Sequence, residues 1–203
     1  MTIDRRSILR AGMGGLFAVG AAGHALATPA KSAPGAERSV LALARDLLAQ
    51  NASRIAKTDM AAIVNFAVPS WKPRFHLVDM NNGRVSSYLV SHGRGSDPGH
   101  TGWLKSFSNK IGSNASSDGV YRTGETYFGK HGRSMRLAGL DPDNSNAEAR
   151  AIVIHAAWYV SDQMITEHGK LGRSEGCFAL SDAALGGVLD RLGPGRMIYA
   201  GKF

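Results

Sequence analysis

One cysteine, Cys177, occurs in the 203 residues, so it has no partner for an intramolecular disulfide and is kept for packing or for chemistry. It closes the segment Gly172-Arg173-Ser174-Glu175-Gly176-Cys177, whose glycines and polar residues are poor surroundings for a core thiol, which more often falls in an apolar run. A thiol becomes a strong nucleophile only as thiolate, so a catalytic cysteine needs a base or a cation beside it. Upstream, Ile152-Val153-Ile154 ends in His155; the β-branched run reads as a buried strand whose end presents the imidazole to a cleft. His155 is the candidate base. The bland alternative is a core cysteine and an unrelated strand-end histidine. His168, in Glu167-His168-Gly169, is a second possible base on a more loop-like stretch, and strand placement favours His155.

The elements that must position this pair are legible in order. Residues 1–27 read as a twin-arginine signal peptide: Arg5-Arg6, an apolar run from Ala11 to Ala22, then Ala25-Leu26-Ala27 with small residues at alternate positions. The run is short for a membrane span, so no stable membrane insertion is expected after cleavage, and a retained anchor is the alternative. Removing 1–27 takes away three arginines and one aspartate, lowering the formal charge from +8 to +6. That balance favours anionic partners, but no basic run with interleaved aromatics points to nucleic acid. Residues 28–35 read as a flexible tether. In 36–65, an N-terminal helical segment, Val40, Leu41, Ala44, Leu47 and Leu48 recur at helical spacing up to Gln50, and a second short helix is predicted over 57–65.

Residues 66–203 read as one β-rich α+β domain of mixed strands with a few short helices. Gly at 25 of 203, against a usual ~7%, predicts many turns. A hairpin is expected from Arg74–Asp79 and Arg84–Ser91 around Asn81-Asn82-Gly83, and His92 is a strand-end residue lining the cleft or merely adjacent to it. A long loop follows over 92–119, of the size that often forms lids or binding loops. Between further strands in 121–140, Gly129-Lys130-His131-Gly132-Arg133-Ser134 concentrates donors and cations suited to a carboxylate-rich peptide; solvated hairpin charges are the alternative. Leu185, Val188, Leu189 and Leu192 mark a helix over 181–192 stopped by Gly193-Pro194-Gly195, and Met197-Ile198-Tyr199 a closing strand.

Several ordered motifs share a register with a known family. Phe107-Ser108-Asn109, Ser116-Ser117-Asp118-Gly119-Val120-Tyr121, Tyr127-Phe128-Gly129-Lys130-His131-Gly132, Leu137-Ala138-Gly139-Leu140, Arg150 through His155 and Gly172 through Cys177 resemble the murein L,D-transpeptidase catalytic domain family, the YkuD-like cysteine transpeptidases of bacterial cell walls. The resemblance covers most of 65–203. It implies a YkuD-like L,D-transpeptidase catalytic domain over 66–203, a periplasmic protein acting on peptidoglycan stem peptides, and no cofactor or metal. Catalysis would be acyl transfer, with His155 taking the Cys177 proton. The thiolate would attack a tetrapeptide stem at the L-centre of diaminopimelate, release D-alanine, and pass the thioester to another stem or to water.

On this resemblance the amides of Gly176 and Cys177 would form an oxyanion hole, supported by Ser174 and Glu175. Arg173 would bind a substrate carboxylate or, equally, form a surface ion pair with Glu175, and Tyr127, His131 and Ser134 would lie towards the cleft. One departure stands out. The family pattern ends Ser/Thr-His-Gly-Cys, and here Glu175 occupies the histidine position.

Three alternatives remain. The first is an L,D-carboxypeptidase or endopeptidase hydrolysing the same bonds. A second is a zinc peptidase drawing on His92, His100, His131, His155 and His168, although no His-Glu-x-x-His spacing is present. The third is a catalytically silent wall-binding module, suggested by Glu175.

Overall fold

The computed structural model describes residues 34–203. The signal peptide expected at 1–27 and most of the tether expected at 28–35 lie outside them. Helix α1, Pro34–Gln50, buries Val40, Ala44 and Leu48, residues four apart that stack on one face.

Eight strands form one mixed sheet: β1 Met60–Asn65, β2 Phe75–Asp79, β3 Val85–Tyr88, β4 Gly119–Gly129, β5 Gly132–Gly139, β6 Val153–Ala156, β7 Phe178–Leu180 and β8 Met197–Gly201, in the order β3-β2-β1-β8-β4-β5-β6-β7. The helix expected at 57–65 is instead strand β1, in the middle of this sheet. It pairs antiparallel with β2 (Ala62 opposite Leu77) and parallel with β8 (Ala62 opposite Ile198). Both faces of β1 are covered. Ala61 and Ile63 pack beneath α1 with Val40, Ala44, Leu48 and Met197. Ala62 and Val64 turn to the opposite layer with Leu77, Ile198 and the apolar stripe of α3. A strand buried on both faces loses the alternation that distinguishes it from a helix.

Helix α3, Asp182–Leu192, buries Ala184, Leu185, Val188, Leu189 and Leu192, with Ser181 at its N-cap and Gly193 after its last turn. The expected hairpin of β2 with β3 is present, and the further strands expected in 121–140 form a second, β4 with β5, around a tip as short as Lys130-His131. Strand β7 and one helix escaped the sequence reading. Residues Asp162–His168 form helix α2, capped by the Ser161 hydroxyl accepting from the Met164 amide and closed by Gly169 at φ 71°.

Helix α2 lies in the crossover that makes β6 and β7 parallel neighbours. β5 pairs antiparallel with β6 (Ser134 opposite His155) and β6 parallel with β7. The short β7 would be an open edge; the Ser91 amide donates to Ala179 O at 3.0 Å, and a parallel bridge joins Gly93 to Ser174. The segment after β3 is thereby fastened to the loop that carries Cys177.

Candidate active site

The β6–β7 register sets the central geometry. Ile154 pairs with Phe178 and His155 with Ala179, so Cys177, one residue before β7, comes level with Val153. His155 follows two residues along β6, roughly 7 Å of strand and on the side that Val153 faces. Ile154 and Phe178 point the other way into the core. The sheet thus presents Cys177 and His155 to one cavity of about 530 Å³, shared with Arg94, Tyr127, Lys130, His131, Arg150, Tyr159, Arg173, Ser174 and Glu175.

His155 is 3% exposed. Its Nδ1–H donates to Ala156 O at 2.8 Å, which leaves Nε2 as the basic nitrogen. Burial first, then the nearby His131 and Lys130, hold the imidazole below its ordinary range despite the Ala156 carbonyl, so it is neutral at pH 7. The His131 ring stacks on it with centroids 4.2 Å apart and planes 22° apart. Cys177 is half-buried. Its thiol donates to Ala151 O at 3.6 Å, a carbonyl aimed by an alanine at φ 52°. Burial chiefly, and the Glu175 carboxylate, push the thiol up, while the Val153 amide and the Arg150 and Lys130 cations pull it down. At rest the pair is a neutral thiol beside a neutral imidazole.

The cysteine loop is braced internally. Ser174 Oγ donates to Cys177 O at 2.7 Å and accepts from the Gly176 amide at 3.2 Å. The Gly176 amide, expected as an oxyanion donor, is therefore engaged within the loop. Gly176 instead supplies a backbone shape, with φ at 119°; a Cβ there would meet Ala115 O at 2.7 Å, Ile152 Cδ1 at 2.8 Å and Arg150 Nη2 at 3.0 Å. Ala115 O accepts from Arg150 Nη2, and Arg150 Nη1 donates to Ser108 O at 2.8 Å and Ser117 Oγ at 2.5 Å. The 108–117 loop is thus tied down beneath the glycine.

The other expected residues divide. Tyr127 lines the cavity, with the Arg136 guanidinium 4.4 Å above its ring. His131 lines it from the hairpin tip. Ser134 does not: although paired with His155 across the ladder, it is 1% exposed and its hydroxyl donates to Gly132 O at 3.3 Å. Arg173 lines the cavity, but its Nη1 donates to the carbonyls of Asp97 and Pro98. Glu175 pairs with Arg94, Nη2 to Oε1 at 2.9 Å, and not with Arg173. His168 ends α2 and pairs with Glu167 at 3.8 Å, outside the cavity. Arg94 also lines the cavity and carried no sequence signal, whereas Lys130 and Arg150, which line it too, lie within the ordered motifs, and Tyr159 lies just past the His155 strand.

His92 lies behind the cleft, 1% exposed, in a buried charged cluster. Arg74, fully buried, donates to Val90 O from Nε and Nη2 and to Val68 O from Nη1, with Nη2 2.8 Å from His92 Nδ1. Burial lowers the guanidinium to about 9 although Asp97 opposes it, and burial brings His92 down to about 3. His92 Nε2 lies 3.4 Å from Asp97 Oδ2, outside hydrogen-bond geometry. Burial alone would raise Asp97; the amides of Thr101 and Gly102 and the Thr101 hydroxyl hold it below the usual carboxylate range. This cluster anchors the segment after β3, a strap along the β7 edge, at the cysteine loop, since His92 O accepts from the Ser174 amide at 2.9 Å. Among the described residues, no three His, Cys, Asp or Glu side chains gather as a metal site.

An L,D-transpeptidase from Mycobacterium smegmatis is similar in structure, at 12% identity and a TM-score of 0.43, over 70% of this chain and 58% of that one. LD transpeptidase LdtMt1 in complex with imipenem is similar at 13% identity and a TM-score of 0.42, over 70% and 59%. This chain spans less than two thirds of the length of either. No curated protein matches it. A family model described as the L,D-transpeptidase catalytic domain matches residues 32–200, from α1 to β8 and through both His155 and Cys177, and so the chain belongs to the L,D-transpeptidase catalytic domain family.

Proposed function

We propose that this protein is a cysteine L,D-transpeptidase acting on peptidoglycan stem peptides, with Cys177 as nucleophile and His155 as general base. The observation that carries the reading is the β6–β7 register, which sets the lone cysteine and a tautomer-fixed histidine on one cavity wall. Nε2 of His155 takes the thiol proton as Sγ leaves Ala151 O and attacks the carbonyl carbon of the L-centre of a tetrapeptide stem. The Val153 amide, which favours the charged sulfur, supports the developing thiolate. Collapse of the tetrahedral adduct transfers the proton from Nε2 to the departing amine of D-alanine, leaving a thioester. An acceptor amine then gives its proton to His155, attacks the thioester and releases Cys177 as thiol. Ser174 holds the loop, and stacked His131 keeps the imidazole in plane.

The cationic lining, Arg94, Lys130, Arg150 and Arg173 against the single acid Glu175, suits a substrate rich in carboxylates. The twin-arginine pattern at Arg5-Arg6 supports export by that route and work in the periplasm. Among the described residues no helix is long and apolar enough to cross a membrane.

The test is mass spectrometry of muropeptides after incubation of the exported chain, and of its Cys177→Ala variant, with purified tetrapeptide stems. Cross-linked dimers that have lost one D-alanine, formed only with Cys177 present, are the expected products. Tripeptide stems alone would make the protein an L,D-carboxypeptidase. Absence of any Cys177-dependent product, with Cys177 slow towards a carbapenem, would make it a wall-binding module.

A further inference from the structure

We infer that Arg94 and Glu175 together form a reader for a zwitterionic α-amino-carboxylate group on the stem peptide, the guanidinium taking its carboxylate and the carboxylate of Glu175 its ammonium. The inference rests on the stem-peptide reading above and concerns which stems that cavity accepts.

Donor accounting together with the adjoining acid singles out this pair. Arg150 has its two terminal nitrogens on Ser108 O, Ser117 Oγ and Ala115 O. Arg173 Nη1 is held by two backbone carbonyls. Among the described residues Arg94 has one side-chain partner, Glu175, through Nη2, so most of its five N–H donors stay available. A guanidinium offers a carboxylate two parallel hydrogen bonds, which an ammonium cannot.

The pair is built to open. Its side chains are 55% and 65% exposed, and an exposed ion pair holds weakly. The backbones beneath them are fixed. The Arg94 amide donates to Ser174 O at 2.8 Å, the Gly93–Ser174 bridge lies next to it, and the Asp97–His92–Arg74 cluster anchors the strap from behind. Two opposite charges therefore project from cross-linked segments at the rim of the cavity that holds Cys177. A group bearing both NH3+ and COO− on one carbon replaces each partner of the open pair with its like, so neither side chain is left without a counter-charge. A plain carboxylate would satisfy Arg94 and strand Glu175. A diaminopimelate side chain ends in such a group at its D-centre.

The test is calorimetric binding to the full chain carrying Cys177→Ala, which needs no turnover. Three synthetic tetrapeptide stems are compared: one with the free amino-carboxylate side-chain end, one with that carboxylate as an amide, one with that amine acetylated. The free form should bind at least about tenfold more tightly than either capped form, about 1.4 kcal/mol. Adding Arg94→Gln should close the gap between free and amidated stems, and adding Glu175→Gln the gap between free and acetylated. Equal binding of all three stems, no binding of any, or gaps that persist in both variants would overturn the inference. A chain that discriminates among stems yet forms no product refutes acyl transfer alone; one that forms product without discriminating refutes the reader alone.

Discussion

Gly176→Ala should lower both the stability of the domain and the reactivity of Cys177, by amounts that follow from the loop. At φ 119° an L-residue lies outside its favoured regions, a cost of about 1–3 kcal/mol. The new Cβ would also press on Ala115 O at 2.7 Å and Ile152 Cδ1 at 2.8 Å. Neither yields freely, since Ala115 O is held by Arg150 and Ile152 is 2% exposed in the core; overpacking of this kind costs about 1–3 kcal/mol. The loop relaxes by shifting, so about 3 kcal/mol should remain, or roughly 6–12 °C in melting temperature for a domain of this size. The shift moves the adjacent Cys177 by a fraction of an ångström to an ångström, which is worth about 100-fold in rate. Thermal unfolding followed by circular dichroism and iodoacetamide labelling of Cys177 measure the two effects. Gly186→Ala on α3 is the control: a Cβ there meets nothing within 4 Å, and helix propensity should raise stability by up to about 1 kcal/mol. A Gly176→Ala protein that melts and reacts like its parent would refute the backbone role assigned to this glycine.

Arg74→Ala removes a fully buried guanidinium from two carbonyls and His92 and leaves Asp97 without its cation; a loss of about 3–5 kcal/mol, read from urea midpoints, is expected, and a loss under about 1 kcal/mol would contradict the cluster. Ala151→Gly relieves an alanine at φ 52° and should stabilise by up to about 1 kcal/mol, while turnover falls because the carbonyl holding the Cys177 thiol becomes free to move. Activity should fall as pH drops through the lowered pKa of His155, below about 6.5, because the base is lost on protonation; pH-rate profiles check the limb, and one centred above that value would oppose the assignment. Stability should fall over the same acid range. His76 is held at about 4 and His92 at about 3, both mainly by burial, so between those values and the unfolded ~6.5 the unfolded chain binds more protons and gains on the native state. Urea unfolding at pH 7 and pH 4.5 measures the slope, which His76→Gln should flatten.

How legible the fold was depended on how many faces each element buries. α1 and α3 bury one stripe each and announce it at spacings of three and four. β2 and β3 announced themselves through Asn81-Asn82-Gly83, the turn chemistry between them. β1 buries Ala61 and Ile63 under one layer and Ala62 and Val64 under the other, and a run apolar on both sides carries no period to read. α2 was missed for the opposite reason: its seven residues bury none of their side chains, so its only signals were the Ser161 cap and Gly169.

The site divides along a different line, between groups identified by what they are and groups identified by what they touch. Cys177 and His155 were legible because a lone thiol in a polar loop and an imidazole at a strand end are unusual in type and place. Arg94 was not, since one exposed arginine in a long loop resembles any other, and its meaning comes from a β-bridge that sets Gly93 beside Ser174 across the fold. The same bridge explains why Glu175 pairs with Arg94 while its sequence neighbour Arg173 reaches back to Asp97 and Pro98. The segment bridged at Gly93 runs parallel to 173–175 and serves both side chains, its Arg94 guanidinium taking Glu175 and its Asp97 and Pro98 carbonyls taking Arg173. A charged residue's partner is therefore decided by which backbone lies alongside. That is a property of topology, and it gives Glu175 an ion-pair partner 81 positions away in the chain that its own sequence surroundings do not announce.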